Sequence, residues 1–217
     1  MRNPVLAVLG SLALGACSVV GIRSGTEEPA YQVVALLEQG VEIRRYGPRL
    51  AAETTVEGAA TDDWHARSAA FKRLAGFIFG DNRPQAKIAM TAPVQVAAGS
   101  AKIAMTAAVA TAAGPDGLTM RFFMPGSYRK ETLPEPNDPR VQIVEVPGED
   151  LAVLRFTSST GATAVAAREA ELARVLEASP WRLVGRPVAL FYDPPWTLPF
   201  LRRNEVAVAV ERRGDVP

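Results

Sequence analysis

The chain has 217 residues, 48% of them hydrophobic, and its 24 basic and 23 acidic side chains give a formal net charge of +1. This composition can fill one sizeable core, and about 185 residues behind the N-terminal segments fit one domain better than two. The balanced charge, with no long block of like charges, gives no reason to expect nucleic acid as a partner.

The N-terminus has the pattern of a lipoprotein export signal. A weakly basic head precedes an apolar stretch, residues 5–14, which is shorter than the roughly 20 residues that a membrane-spanning helix needs. The stretch ends in Leu14-Gly15-Ala16-Cys17, which resembles a bacterial lipobox. An ordinary secretory signal or a buried N-terminal helix is the alternative. We expect removal of residues 1–16 and lipidation of Cys17, the only cysteine.

The expected lipid on Cys17 predicts a protein held at a membrane surface, because several acyl chains anchor a protein without spanning the bilayer. Ser18 follows in place of the Asp that commonly signals inner-membrane retention in enterobacteria, which favours the outer membrane facing the periplasm. Residues 17–30 are predicted to be a tether. Residues 31–212 are predicted to form the folded domain. A lipidated Cys17 is excluded as a catalytic nucleophile.

The first part of this domain is predicted to consist of strands and then a helix. Three extended segments over residues 31–58 are separated by Gln39-Gly40 and Gly47-Pro48, which predicts a three-strand meander. A helix is predicted over residues 62–79, with Thr61 as its N-cap. Apolar side chains at helical spacing predict one buried face on that helix: Trp64, Phe71, Leu74, Ala75 and Ile78.

An internal repeat follows the helix. Residues 87–94 and 102–109 are identical at seven of eight positions, and Ala98-Gly99-Ser100 between them is a turn signal. The pattern predicts a hairpin with Ile, Met and Val of both arms on one face. Two copies do not support a solenoid.

The rest of the chain predicts further strands and a second helix. The helix is expected over residues 164–178, before Pro180. The order of strands, helix and strands therefore occurs twice, which predicts an α+β domain with helices on one side of an antiparallel sheet. Such a curved sheet could hold a ligand between sheet and helix. The further strands are expected over residues 118–125, 141–146, 151–158, 188–192 and 204–211.

Several motifs together resemble the SOUL haem-binding protein family, from Tyr31 to about Glu211. This resemblance implies a distorted antiparallel β-barrel with two flanking helices, built from two similar halves. It also implies binding of haem or a related tetrapyrrole. The motifs are Val41-Glu-Ile-Arg-Arg-Tyr46, Gly80-Asp-Asn82, the Lys-Ile-Ala-Met-Thr-Ala repeat, Phe123-Met-Pro125, Thr132-Leu-Pro134, Ala189-Leu-Phe-Tyr-Asp-Pro194 and Phe200-Leu-Arg-Arg-Asn-Glu-Val206.

Any haem would be bound non-covalently, because the chain has no Cys-x-x-Cys-His motif. His65, the only histidine, is a candidate axial ligand, with a partly exposed polar side chain beside Trp64 as the alternative. Methionine and tyrosine are the other available donors. Met90, Met105, Met120 and Met124 fit core positions better, since thioethers fill irregular gaps.

A haem site needs an apolar slot and cations at its mouth for the two carboxylates. The predicted slot residues are Trp64, Phe71 and Ile78 on the first helix, with Met90 and Met105. The candidate cations, each of which could also be an ordinary surface charge, are Arg67, Lys72, Lys87 and Lys102. Arg202 and Arg203 are expected to have a structural role, as ion-pair partners of Glu205 or Glu42.

These observations favour a tetrapyrrole-binding lipoprotein of the cell envelope. The alternative is an envelope binding or scaffold lipoprotein that uses the same groove for another apolar ligand or a protein. An enzyme is not expected: the chain has no Gly-x-Ser-x-Gly motif and a poor set of metal ligands. The adjacent Asp62 and Asp63 are better explained by the start of the helix.

Overall fold

The structure of the protein, a computed structural model, describes residues 26–98, 117–194 and 196–214. Within these residues, ten strands form one strongly curled antiparallel sheet, two more form a short separate pair, and two helices flank the sheet. The strands are β1 (Tyr31–Leu36), β2 (Glu42–Tyr46), β3 (Arg49–Val56), β4 (Asn82–Arg83), β5 (Val94–Ala98), β6 (Leu118–Phe123), β7 (Glu135–Pro136), β8 (Gln142–Val146), β9 (Glu149–Phe156), β10 (Trp181–Leu183), β11 (Val188–Phe191) and β12 (Asn204–Arg212). The helices are α1 (Trp64–Ile78) and α2 (Ala162–Glu177).

Two long bent strands give the sheet its barrel-like curl. The order of strands is β1-β2-β9-β12-β11-β5-β6-β3-β8. One bent strand is formed by β2 and β3 and the other by β8 and β9. The β2–β9 and β3–β8 ladders lie near opposite ends of the strand order, but the pairing register continues unbroken from one ladder to the other where the two bent strands turn a corner. A Cβ atom at Gly148 would lie 3.1 Å from the carbonyl oxygen of Tyr46. The two backbone segments approach each other so closely here that glycine is favoured.

The predicted three-strand meander is wrong at one connection. β1 and β2 pair as expected, but β2 pairs with β9 and β3 pairs with β6 and β8. Gly47-Pro48 does not reverse the chain, because Pro48 fixes its own φ and favours extended backbone before it. The chain turns a corner there and passes to the other side of the barrel.

The molecule is built from two similar halves, as predicted. Residues 41–56 and 141–156 occupy equivalent places at a spacing of 100, each as a bent strand ahead of a helix. In the strand order, β5 of the first half lies directly against β11 of the second. The α+β fold, with a curled antiparallel sheet and two flanking helices, is confirmed.

Each helix covers its own half of the sheet with its own apolar core. The core under α1 includes Ala70, Leu74, Phe77 and Ile78, whereas α2 contributes Leu172, Val175 and Leu176 to a separate core. Among the described residues, no helix has the length and apolar character needed to cross a membrane.

The start of α1 differs from the prediction of Thr61 as the cap. The Asp63 carboxylate accepts hydrogen bonds from the backbone N–H groups of His65 (2.8 Å) and Ala66 (3.1 Å), so Asp63 is the N-cap. A carboxylate there also interacts favourably with the positive end of the helix dipole.

The inner face of the curled sheet holds a buried ion-pair network around Glu205, which is 0% exposed. Its carboxylate accepts hydrogen bonds from Arg44 (2.9 and 3.2 Å), Arg203 (3.0 Å) and the Tyr192 hydroxyl (2.6 Å). The expected Arg203–Glu205 pair is therefore confirmed. Arg202 makes a different contact from the expected pair with Glu205 or Glu42: its Nε donates to the carbonyl oxygen of Thr197 at 2.8 Å.

The first copy of the repeat is not the hairpin arm that was predicted. Residues 87–93 form no strand apart from an isolated bridge at Thr91, and β5 begins only at Val94. Ile88 donates its N–H to the carbonyl oxygen of Ile78 (2.8 Å), and the Thr91 hydroxyl donates to that of Phe123 (2.5 Å). These bonds fix a loop rather than an alternating strand. The second copy, with Lys102 and Met105, lies outside the described residues.

Candidate functional site

A groove lies between the two helices where the two halves of the molecule meet. Its floor is the outer face of the central β5–β11 pair, and its volume is about 320 Å³. Because it is formed at the junction of the halves, both helices contribute walls. We call it the interhelical groove, and its main lining residues are Asp62, Arg67, Val96, Thr160, Val165, Ala166, Glu169, Arg186, Ala189 and Phe191.

Two arginines, Arg67 and Arg186, line the interhelical groove, and Arg67 is the one that lies over its aromatic floor. Its guanidinium carbon lies 4.9 Å from the centroid of the Phe191 ring, and its Nη1 is 3.5 Å from the carbonyl oxygen of Thr160. Among the described residues Arg67 forms no ion pair, and Asp62 acts on it only at longer range. Burial lowers the pKa of Arg67 and Asp62 partly offsets this shift, but an arginine stays charged at neutral pH.

An acidic group faces this cation from the second helix. Glu169 on α2 lines the same groove, and burial raises the pKa of its carboxyl group. The groove therefore combines an apolar floor with two basic side chains, Arg67 and Arg186, and two acidic ones, Asp62 and Glu169. Such a mixture of apolar surface and a few polar groups is typical of small-molecule sites.

The predicted slot residues on α1 are not brought together. Ile78 is 1% exposed and belongs to the core, whereas Trp64 is 66% exposed. Phe71 is also exposed and packs against Phe122 of β6, with ring centroids 5.3 Å apart. At about 100° per residue, Trp64 and Phe71 lie within about 60° of Arg67 around the helix axis, so they flank the groove side of α1.

The remaining predicted site residues lie elsewhere. His65 and Lys72 are exposed and, at about 100° per residue, point away from the buried face of α1. Lys87 and Met90 are exposed in the loop between β4 and β5, so the prediction of a core position for Met90 is wrong. Met120 and Met124 are buried, as expected. Cys17, Lys102 and Met105 lie outside the described residues.

No metal-binding cluster is present in the part of the chain that the structure describes: no three His, Cys, Asp or Glu side chains converge. A larger, more open concavity of about 1350 Å³ lies beside β1, β10 and the corner of the barrel. Of the charged side chains that line it, Arg45 is paired with Asp150 and Glu211 with Arg182, and Arg212 also lines it. The interhelical groove is smaller and more enclosed, and its Arg67 lies over an aromatic ring, which favours this groove as the candidate site.

Sequence reasoning missed the groove because its parts come from both halves of the chain. Arg67 was a candidate cation, but Phe191, Glu169 and Val165 were not candidates. The spacing of 100 residues between the two bent strands was the signal in the sequence that could have revealed the groove. Two equivalent halves that share one sheet place their helices on the same side of it.

Comparisons with known proteins agree with this architecture. The EcmrR C-terminal domain is 11% identical, with a TM-score of 0.55 over 84% of this chain and 98% of that one. A hydrolase from Listeria innocua is 11% identical, with a TM-score of 0.53 over 87% of this chain and 94% of that one. At these identities the likeness shows the fold alone. The search of curated proteins found no match.

The sequence model of the SOUL heme-binding protein family matches residues 26–209, which is most of the chain. The match includes both bent strands, both helices and the central β5–β11 pair. It confirms the resemblance inferred from the sequence motifs. The chain therefore belongs to the SOUL heme-binding protein family.

Proposed function

We propose that this protein binds haem or a related tetrapyrrole non-covalently, with one edge of the macrocycle in the interhelical groove. The observation that carries this proposal is Arg67, a partly buried guanidinium that lies over the Phe191 ring and has no ion-pair partner among the described residues. Arginine binds carboxylates with two parallel hydrogen bonds. Arg67 would hold a ring carboxylate while Phe191 contacts the flat apolar face. Membership of a heme-binding family supports this assignment.

The groove fits an edge of a tetrapyrrole rather than the whole ring. Its 320 Å³ is near the lower end of the roughly 300–1,000 Å³ typical of ligand pockets. Phe71 and Trp64 extend the apolar surface along the groove side of α1. A large flat ligand could therefore be partly inserted, with its remaining face on these two aromatic rings.

The proposal assigns no axial ligand. The described lining of the groove contains no His, Met, Tyr or Cys side chain. His65, the only histidine of the chain, lies on the outward side of α1. Apolar contact and pairing of the ring carboxylates are the interactions that this groove offers.

We also propose that the protein is a lipoprotein of the cell envelope, anchored through Cys17 and facing the periplasm from the outer membrane. The Leu14-Gly15-Ala16-Cys17 motif and the tether-like composition of residues 17–30 support this location. A mass spectrum of the N-terminal peptide tests it: a diacylglyceryl group on Cys17 is the expected result, and an unmodified Cys17 contradicts it.

A haem titration with charge-matched variants tests the site. The wild-type Soret band should shift and saturate near one equivalent. Arg67→Glu should raise the Kd at least about tenfold, because loss of a charge-assisted hydrogen bond costs about 1.5–3 kcal/mol. Lys72→Glu makes the same charge change on the outward side of α1 and should leave the Kd unchanged. A linear rise without saturation, or equal effects of both variants, would contradict the proposal.

A second candidate is binding of another apolar ligand or a protein in the same groove. The small volume and the acidic Glu169 favour it, because a deprotonated Glu169 would repel a carboxylate-bearing ligand. This alternative predicts no Soret shift with haem. It also predicts a co-purifying lipid or envelope protein that Phe191→Ala releases.

A further inference from the structure

The connection between β11 and β12 exposes a cluster of large apolar side chains. Residues 196–201, which we call the apolar loop, present Trp196 (64% exposed) and Phe200 (67% exposed), with Leu198 and Leu201 also exposed. Exposed side chains of this size contribute little to the stability of the fold, and clusters of them usually mark an interaction surface.

The apolar loop is held rigidly in this position. Leu201 N–H donates to the carbonyl oxygen of Leu198 (2.9 Å), and Thr197 between the exposed side chains is buried. The N–H of Ser158, next to the start of α2, donates to the carbonyl oxygen of Pro199 (2.9 Å). The aromatic side chains are therefore presented by a fixed backbone.

The loop lies near the first residues of the chain that the structure describes. Arg203, two residues after the loop, binds both carboxylate oxygens of Glu28 at 3.0 Å. Glu28 is eleven residues from Cys17, a separation that the chain can span over at most about 40 Å. A lipid on Cys17 would therefore keep Glu28, and with it the neighbourhood of the loop, within about 40 Å of the membrane.

The chemistry of the loop suits a lipid surface. Residues 194–202 contain no carboxylate and end in Arg202, whereas the next residue, Arg203, is already paired with Glu28 and Glu205. Trp and Phe side chains insert at the boundary between headgroups and acyl chains, and basic residues beside them are attracted to anionic lipids. A fixed aromatic loop without acidic residues has both properties.

We propose that the apolar loop inserts into the membrane interface and orients the domain on the surface to which Cys17 anchors it. This inference rests on the proposed lipidation of Cys17. Thr160, a groove residue, lies two residues after Ser158, which binds the loop. Insertion of the loop therefore brings one end of the interhelical groove to the membrane surface, where an apolar ligand could enter or leave.

Tryptophan fluorescence provides the test, because the chain has three tryptophans in distinct places: exposed Trp64 on α1, buried Trp181 and exposed Trp196. The purified full-length protein is mixed with vesicles of phosphatidylethanolamine and phosphatidylglycerol, with brominated or ordinary acyl chains. Brominated chains should quench part of the wild-type fluorescence. Trp196→Phe, which keeps an aromatic ring, should abolish the quenching, whereas Trp64→Phe should retain it.

Quenching that persists in Trp196→Phe, or its absence from the wild-type protein, would overturn the proposal and indicate that something other than lipid covers the loop. A mass spectrum of the same sample reports the state of Cys17 separately. Trp196-dependent quenching with an unmodified Cys17 would support the loop while contradicting the anchor. A lipidated Cys17 without quenching would support the anchor and contradict the insertion of the loop.

Discussion

Glu205 is a carboxylate enclosed by the cationic side chains of Arg44 and Arg203 on the inner face of the sheet. Replacing it by glutamine removes the fully buried anion that both guanidinium groups share and leaves them only the part-exposed Glu42 and Glu28. Loss of one partner of a buried ion pair costs about 3–5 kcal/mol. Glu205→Gln should lower the free energy of unfolding in urea by about that amount. Glu145→Gln, which removes the exposed partner of Lys130, should cost at most about 1 kcal/mol. Equal losses would show that the network contributes little.

The same carboxylate makes the stability of the protein depend on pH. Burial raises the pKa of Glu205, but hydrogen bonds from Arg44 and Tyr192 and the charge of Arg203 outweigh this and lower it overall. Because its pKa is lowered in the folded state, its contribution is complete above the unfolded pKa of about 4.3 and is lost as pH falls through the folded value. Unfolding free energies measured from neutral to acidic pH should fall less steeply in Glu205→Gln, and a parallel fall would contradict this assignment.

Single residues also show why the sequence pattern misled on α1. Trp64, Phe71 and Ile78 follow one another at intervals of seven, which predicts a common buried stripe. The centre of the buried face lies instead along Ala66, Ala70 and Leu74, so the predicted stripe runs along its edge. Spacing identifies a helix, but the contacting sheet decides which side of it is covered.

At the scale of elements, the internal repeat allows a direct test of what β5 requires. The first copy ends at Val94, the first residue of β5, and Ala98 at the end of β5 lies opposite Leu118 of β6. Deleting residues 102–116 would leave a four-residue connection between these partners, a length common in hairpins. Shortening this connection should increase stability by about 1 kcal/mol through the entropy of closing it. Thermal unfolding should show an equal or higher Tm, and loss of the folded state would contradict the prediction.

The matched control removes the other copy. Deleting residues 87–101 gives a chain of equal length in which Thr111 takes the place of Val96 and Ala108 that of Pro93. Val96 is buried in the core under α1, and a hydroxyl group there without a partner costs about 1–3 kcal/mol. This deletion should be the less stable of the two. An identical Tm for both would mean that the copies are interchangeable.

Most elements were predictable because their signals are local. The helix over residues 162–177 and the strands around residues 118–123 and 204–212 follow from periodicity and from turn residues. The pairing of β2 with β9 was not predictable in this way, because the partners are about a hundred residues apart and the Gly47-Pro48 corner resembles a turn. The short β10 carries too few residues for a periodic signal.

At the scale of the whole molecule, the duplicated architecture creates the candidate site. Neither half alone contains a groove: Arg67 comes from the first half, and Phe191 and Glu169 come from the second. They meet because β5 and β11 pair in the middle of the sheet and leave a gap between the helices above them. The sequence motifs identified the family, but the lining of the site depends on this assembly of halves.

This arrangement predicts that a ligand in the groove stabilises the whole domain, because it binds α1, α2 and the central strands together only when the protein is folded. At a free haem concentration about 100 times the Kd, the gain is about 2.7 kcal/mol, which corresponds to a rise in Tm of roughly 5–10 °C for a chain of this size. Scanning calorimetry at increasing haem concentration should show this rise in the wild-type protein and in Lys72→Glu. Arg67→Glu should shift the dependence to higher haem concentrations. A Tm that responds to haem identically in all three proteins would place the ligand outside the groove, because only Arg67 among the substituted residues contacts its floor.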